Sequence, residues 1–189
     1  MVTLQDSEIV SVLQEDVEKG FRLLMMKYKQ AVYWHIRRLV VSHDDAQDAA
    51  QETFVRVFRS FCKFKGKDAL EYHQENSSMT TWIYKIATHE ALRILQRRRC
   101  EQISLDDVPM EVNGLMAENY VDYSDLEAVK LQRAILSLPT KQQLAFNLRY
   151  YDELGYEEIA HITDSTAANV KANYHIAKVK IVKYMKTVD

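Results

Sequence analysis

The sequence has little glycine and little proline, with 4 Gly and 2 Pro in 189 residues. A fold of many short strands needs these residues for its turns, so their scarcity excludes a turn-rich β protein and favours helices. No stretch approaches the roughly 20 consecutive apolar residues that a membrane-spanning helix requires. Residues 1–17 carry four acidic side chains and no basic one, unlike a signal peptide. We therefore expect a cytoplasmic protein without direct membrane insertion.

Cysteine is also scarce. Cys62 and Cys100 stand in unrelated contexts without CxxC spacing, which predicts two reduced thiols and no metal site. The six histidines show neither HExxH spacing nor pairing with carboxylates, and the chain contains no Gly-rich phosphate loop and no GxSxG motif. We therefore expect no catalytic residues, no metal, no cofactor and no enzymatic activity.

The charge of the chain is segregated by region. Residues 1–100 hold 16 Lys and Arg against 13 Asp and Glu, residues 101–130 hold 1 against 8, and residues 131–189 hold 8 against 6. The net charge of −2 therefore conceals two mildly basic segments that flank an acidic one. Because nucleic-acid binding depends on a local basic surface, the total charge does not exclude it.

Apolar residues recur at three- and four-residue spacing over most of the chain, which predicts amphipathic helices. We expect a short helix and then a long one within residues 6–41, with a break near Glu18–Gly20. Two further helices should cover 44–64 and 79–99. The polar, non-periodic residues 65–78 between them predict a long loop.

A second change in pattern divides the chain. Residues 101–124 are acidic and show no sustained periodicity, which is typical of an interdomain linker. Helical spacing then returns, and Pro139 marks a helix start because proline is tolerated in a first turn. The sequence therefore predicts an all-α fold of two small helical domains, 1–100 and 125–189, joined by an acidic linker.

The C-terminal part has the pattern of a helix-turn-helix. A helix over 156–162 and a second over 167–186 are separated by Thr163-Asp164-Ser165, and Thr166 is a good N-cap. The polar side chains on the outer faces of the second helix could meet base edges and phosphates in a major groove. They are Asn169, Lys171, Asn173, His175 and Lys178. A helical hairpin that packs on another protein without touching DNA is the alternative.

Two helices of the N-terminal part are further candidates for binding. The helix 44–64 has a polar face that could dock a basic partner helix or could simply be solvated, and its periodicity places Phe54, Val57, Phe58 and Phe61 inward. The helix 79–99 combines aromatic side chains, which stack on exposed bases, with basic ones, which follow phosphates. Alternatively, Trp82 belongs to the core and the triplet Arg97-Arg98-Arg99 complements the helix macrodipole.

Together these segments resemble extracytoplasmic-function (ECF) sigma factors of bacterial RNA polymerase. DDAQDAAQETF at 44–54 is similar to the family's segment that docks on the polymerase clamp helices, and TWIYKIA at 81–87 to its helix that opens and recognises the minus-ten element. A third group of segments is similar to the family's domain that recognises the minus-thirty-five element. It consists of LP at 138–139, LR at 148–149, YEEIA at 156–160 and VK at 170–171. The chain departs from the usual residues at His89, Arg93, Asp164, Ser165, Asn173 and Ile176. Asp164 stands where the family usually has the turn glycine, and aspartate tolerates a left-handed backbone better than most residues.

The resemblance implies a sigma factor that binds the beta and beta-prime subunits of core RNA polymerase and promoter DNA, directs initiation and melts the minus-ten region. It also implies an anti-sigma factor as a partner. The implied polymerase-binding residues are Asp44, Asp48, Gln51, Glu52 and Phe54. The implied minus-ten contacts are Trp82, Lys85, Thr88, His89, Arg93, Gln96, Arg97, Arg98 and Arg99. The implied minus-thirty-five contacts are Arg149, Thr166, Ala168, Asn169, Lys171, Asn173 and Lys178.

Two other classes of function stay open from the sequence. One is a helix-turn-helix regulator that binds operator DNA without polymerase. The other is a protein-interaction module with degenerate DNA contacts.

Overall fold

The computed structural model describes residues 5–63, 78–102 and 126–187, and these residues form eight helices and no strand. The helices are α1 (Asp6–Glu15), α2 (Val17–Val40), α3 (His43–Lys63), α4 (Met79–Gln102), α5 (Leu126–Leu136), α6 (Thr140–Tyr150), α7 (Tyr156–Ile162) and α8 (Ala167–Thr187). The all-α prediction is confirmed for this part of the chain. Nearly all of the predicted loop and linker lies outside the described residues.

The first two helices meet at Asp16, slightly before the predicted break. The Asp16 carboxylate caps α2 by accepting a hydrogen bond from the backbone N–H of Lys19 at 3.0 Å. Gly20, which was expected at the break, is buried inside α2. A Cβ at this position would lie 2.6 Å from Leu13 of α1. The predicted position of the break was therefore wrong, because this glycine permits two helices to approach closely.

The four N-terminal helices bury a shared apolar core, to which α1 to α4 all contribute. Ser42 and Ser78 cap α3 and α4, accepting from the backbone N–H groups of Asp45 at 3.3 Å and Thr81 at 3.2 Å. Phe58, which the periodicity of α3 placed inward, is instead 37% exposed and makes an edge contact with Phe21 of α2. The inward assignment of Phe58 was therefore wrong.

Among the four C-terminal helices, α7 and α8 form the predicted helix-turn-helix. Pro139 is the N-cap of α6, one residue before the helix begins. Buried apolar side chains of α5, α6 and α8 make one cluster, and those of α6, α7 and α8 make another. Val170, Ala177 and Ile181 form a stripe at helical spacing along the second helix and are nearly fully buried.

The N-terminal half (residues 5–63 and 78–102) and the C-terminal half (residues 126–187) pack against each other. Helix α2 contacts α6, and α4 contacts α7. Leu144 of α6 is buried among the N-terminal core residues, and Tyr84 of α4 is buried among the C-terminal ones. The described parts of the chain therefore adopt a closed arrangement in which α4 lies against the helix-turn-helix.

Candidate polymerase and promoter interface

The predicted polymerase-binding residues form an exposed face on α3. Asp44, Asp48 and Gln51 are exposed, and Glu52 is half-buried. Phe54 is buried in the N-terminal core, so it supports this face from behind and is not available for direct contact in this arrangement. We call the four polar residues the clamp face. Its acidic side chains could bind a basic partner helix.

A buried carboxylate that sequence reasoning missed connects the clamp face to α4. Glu90 is 4% exposed and forms ion pairs with Arg56 at 2.9 Å and with Arg93 at 2.8 Å. Arg56 also pairs with Glu52 at 3.1 Å. The cluster therefore links a predicted polymerase contact to a predicted minus-ten contact. Nothing in the local sequence of Glu90 distinguishes it from a solvated residue.

The predicted minus-ten residues of α4 divide into accessible and buried groups. The side chains of Lys85, His89, Arg93, Gln96 and Arg97 are exposed or half-buried. Trp82 is 8% exposed and packs edge-on against Phe61, as the core alternative for this residue anticipated. Thr88 is fully buried and shares a 2.9 Å hydrogen bond with Nε2 of His35. In this arrangement Trp82 and Thr88 are therefore enclosed.

In the arginine triplet at the end of α4, the middle residue, Arg98, makes contacts within the fold. Arg98 donates to the backbone carbonyl of Val40 at 2.7 Å and pairs with the carboxylate of Asp45. These bonds tie the end of α4 to the junction of α2 and α3. Arg97 lies 4.0 Å from Asp45. The side chain of Arg99 lies outside the described part.

The helix-turn-helix presents most of its predicted DNA contacts at the surface. Ala168, Asn169, Lys171 and Lys178 on α8 are exposed, and Asn173 is half-buried. The Thr166 hydroxyl caps α8 by accepting from the backbone N–H of Asn169 at 3.2 Å, as predicted.

Arg149 differs from these residues because its guanidinium is engaged inside the motif. It donates to the carbonyl of Leu154 at 2.9 Å and lies 5.3 Å from the ring centroid of Tyr156. These contacts hold the segment that leads into α7.

Two basic side chains of α4 and one carboxylate of the helix-turn-helix join the two candidate DNA surfaces to each other. Nζ of Lys85 lies 2.5 Å from Oδ1 of Asp164, and Nε2 of His89 lies 3.4 Å from Oδ2 of the same carboxylate. Asp164 occupies the turn of the helix-turn-helix. The hydrogen bond from Lys85 lowers the pKa of Asp164 below its usual range, with a smaller contribution from the nearby His89. Two predicted minus-ten residues are therefore bound to the other half of the chain.

A second contact between the halves is more deeply buried. The Asp152 carboxylate, 6% exposed, accepts from Nδ1 of His35 at 3.1 Å, Nη2 of Arg38 at 2.5 Å and the Tyr84 hydroxyl at 3.4 Å. We call these four residues the Asp152 cluster. Because a carboxylate only accepts, Nδ1 of His35 must carry the proton.

The ionisation of the Asp152 cluster follows from its surroundings. Burial by itself would raise the pKa of Asp152, but the hydrogen bonds and positive charges of His35 and Arg38 outweigh burial and lower it. Burial raises the pKa of the Tyr84 hydroxyl, and the Asp152 charge raises it further. The cluster therefore favours an ionised carboxylate beside a neutral phenol. Sequence reasoning missed Asp152 and His35, which are 117 residues apart.

A cleft of about 470 Å³ opens beside these contacts. Its apolar wall includes Leu92 and Leu95 of α4, Leu144 of α6 and Ile159 and Ile162 of α7. Asp164 and His89 are also among its lining residues. The cleft is therefore shaped by both halves of the chain. Among the described residues, no group of three or more His, Cys, Asp or Glu side chains could hold a metal ion, and no helix has the length and apolarity to cross a bilayer.

Comparison with known proteins identifies both halves. Residues 24–100 match the model of Sigma-70 region 2, and residues 128–181 match that of Sigma-70, region 4. The ECF RNA polymerase sigma-E factors of Salmonella typhimurium and Escherichia coli are each 31% identical to the chain over 185 residues, covering 93% of this chain and 91% of theirs. That of Haemophilus influenzae is 30% identical, with 92% of its length covered.

Two solved structures share the fold. The sigma factor RpoE from Bartonella quintana, crystallised with the anti-sigma factor NepR, superposes with a TM-score of 0.70 at 20% identity over 90% of this chain and 99% of RpoE. CnrH, solved in complex with the cytosolic domain of CnrY, gives 0.67 at 14% identity over 96% of this chain and 97% of CnrH. The two helical units are those of a sigma-70-type factor. With relatives of 31% identity along most of its length, the chain belongs to the ECF family of RNA polymerase sigma factors.

Proposed function

We propose that the chain binds core RNA polymerase and directs it to promoters, as a cytoplasmic protein without catalytic activity of its own. The observation that carries this proposal is the presence of both sigma-70 regions in one chain, which aligns with the ECF sigma-E factor of Salmonella typhimurium over 91% of that protein's length. A regulator that acts without polymerase needs the helix-turn-helix but has no need of region 2.

The binding surfaces follow from the exposed residues described above. The clamp face of α3 binds the beta-prime clamp helices, and the accessible residues of α4 bind the minus-ten element and help to separate its strands. The exposed side chains of α8 bind the minus-thirty-five element, while the C-terminal half also contacts the flap of the beta subunit. Residues 1–100 and 125–189 act as two domains, and the acidic linker 101–124 lies near the path of the RNA.

The direct test is transcription in vitro with purified core polymerase on a genomic DNA library. Transcripts should start at a discrete set of sites only when the protein is added, and the upstream sequences of those sites should share two elements. A protein that binds DNA but yields no start sites with core polymerase would be a regulator and would contradict the proposal. Operator binding by the free protein is the control that separates these outcomes.

An anti-sigma factor is the second partner that we propose. A partner helix inserted between the two halves would cover the clamp face and part of Thr166–Lys178, and the apolar cleft offers a place for it. Leu95→Glu introduces a charge into this cleft without altering the clamp face. Pull-down from uninduced cells should recover an inhibitor with the wild type, and core polymerase in its place with Leu95→Glu. Recovery of polymerase subunits alone by the wild type would contradict this proposal.

A further inference from the structure

The closed arrangement engages basic side chains that the proposed function assigns to DNA. Lys85 and His89 of α4 are both bound by the Asp164 carboxylate from the opposite half. A carboxylate and a phosphate are both anionic acceptors for the same basic groups. Asp164 therefore occupies the position that a phosphate of the minus-ten strand would take. DNA binding at these residues requires that Asp164 leave.

The closed arrangement is held by buried groups. Asp152 joins His35 and Arg38 of α2 to the loop between α6 and α7, and both His35 and the Asp152 side chain are almost fully enclosed. Arg38 also lies 4.8 Å from the ring centroid of Tyr151. Removal of the Asp152 carboxylate leaves the Arg38 guanidinium buried without its counter-charge, which strongly disfavours the closed form.

The same contact contains polar atoms that are not satisfied. Asn147 of α6 is fully buried, and neither Oδ1 nor Nδ2 has a hydrogen-bond partner among the described residues. Nε of Arg38 is likewise buried without a partner there. By helical periodicity Asn147 shares a face with Leu144 and Tyr151, and both of these contact the N-terminal half. Buried polar groups without partners favour opening, because water can satisfy them once they are exposed.

We propose that the free chain inhibits itself: the Asp152 cluster holds the halves together, Asp164 pairs with Lys85 and His89 in place of DNA, and binding of core polymerase to both halves opens the contact. The unsatisfied Asn147 keeps the closed form weak enough to open. The proposal rests on the proposed function, because the covered residues matter only if α4 binds promoter DNA.

The distance between the halves tests closure directly. In a Cys100→Ser background, dyes on the exposed Cys62 and on Lys186→Cys report it by single-molecule energy transfer. Asp152→Asn should raise the open-to-closed ratio by about tenfold or more, because it leaves Arg38 buried without its carboxylate. Asn147→Leu should lower the ratio by about tenfold, because it removes the unsatisfied amide with little change of shape. Glu157→Gln, an exposed change on α7, should leave the ratio unaltered.

The second readout tests what the closed form covers. Asp164→Asn retains a residue that tolerates the left-handed backbone at this position, φ 48°, while removing the charge. Without polymerase, Asp164→Asn and Asp152→Asn should bind a fluorescent single-stranded DNA carrying a minus-ten segment recovered from the library several-fold more tightly than the wild type. With core polymerase, the three proteins should yield equal transcription.

The outcomes separate the two proposals. An open wild type, or distances unchanged in both Asp152→Asn and Asn147→Leu, would overturn self-inhibition even if transcription is normal. So would unchanged affinity for single-stranded DNA in both Asp152→Asn and Asp164→Asn. Failure of the wild type to transcribe with core polymerase would instead overturn the proposed function, while energy transfer still reports closure. Circular dichroism of each variant identifies any that has lost its helices.

Discussion

Glu153 adopts a backbone conformation that favours glycine. Its φ is 55°, in the left-handed region, and its side chain is exposed in the turn between α6 and α7. Such a conformation costs an L-residue about 1–2 kcal/mol, whereas glycine loses about 0.5–1 kcal/mol more chain entropy on folding. Glu153→Gly should therefore raise the free energy of unfolding by about 0.5–1 kcal/mol, measured by urea denaturation.

The matched control for this change is a glycine in a regular helix. Ala172 is exposed in the middle of α8, so Ala172→Gly should lower the free energy of unfolding by about 1 kcal/mol. Equal destabilisation by both substitutions would show that Glu153 is not strained. Asp164 has the same type of backbone, φ 48°, and here the sequence did indicate it, because Asp164 stands where the family usually has glycine.

At the scale of a single helix, the clamp face of α3 can be changed without disturbing the core. Asp48 is exposed, and Glu52 pairs with Arg56, which keeps a second partner in Glu90. Reversing both charges with Asp48→Lys and Glu52→Lys should weaken binding to core polymerase by at least tenfold, because like charges would then face the basic partner. Stability should change by only about 0.5 kcal/mol per exposed site.

The measurement is a titration of labelled protein with core polymerase, together with thermal unfolding of the free protein. Glu18→Lys, a charge reversal at an exposed position on α2, is the control and should bind as the wild type does. Wild-type affinity in the double reversal would remove the clamp face from the polymerase contact.

The exposed lysines of α8 should act through charge alone. Lys171 and Lys178 lie on the outer surface of the helix, where they can reach phosphates. Neutralising each with glutamine should reduce the slope of log affinity against log salt by about one unit for duplex DNA. Lys186, exposed in the last turn of α8, serves as the control, and Lys186→Gln should leave the slope unchanged. An unaltered slope in the double variant would place both lysines outside the interface.

The elements themselves were predictable because their signals are local. Each of these signals depends on neighbouring residues. They are the capping serines at positions 42 and 78, the periodicity of α2 and α4, and the turn before Thr166. The position of the first break failed because Gly20 serves a contact with Leu13 of another helix, which the pattern of α2 alone does not contain. Phe58 failed for a related reason: periodicity indicates a face of α3 but not how far the neighbouring helices cover it.

At the scale of the whole molecule, the contact between the halves was not predictable from the sequence. Asp152 and His35 are both ordinary polar residues in their own segments, and their pairing depends on how two separately patterned units pack. The candidate surfaces on α3, α4 and α8 were located by pattern and resemblance. Their mutual arrangement, with Asp164 against Lys85, required the tertiary structure.

The Asp152 cluster gives the closed form a defined dependence on pH. Asp152 faces His35, Arg38 and the Tyr84 hydroxyl, and its pKa in the closed form lies below the ordinary value. Its contribution to the stability of the closed form is therefore fully present above the ordinary pKa of an aspartate, about 3.9, and is lost as the pH falls through the lowered pKa.

At pH 7 Asp152→Asn should lower the free energy of unfolding by about 3 kcal/mol, which corresponds to roughly 6–12 °C in the midpoint of thermal unfolding. This difference from the wild type should narrow as the pH falls below about 4, where the Asp152 carboxylate becomes protonated. Glu157→Gln, outside the cluster, should differ little from the wild type throughout. A gap between wild type and Asp152→Asn that is as wide at the lowest pH as at pH 7 would mean that the carboxylate charge does not hold the halves together.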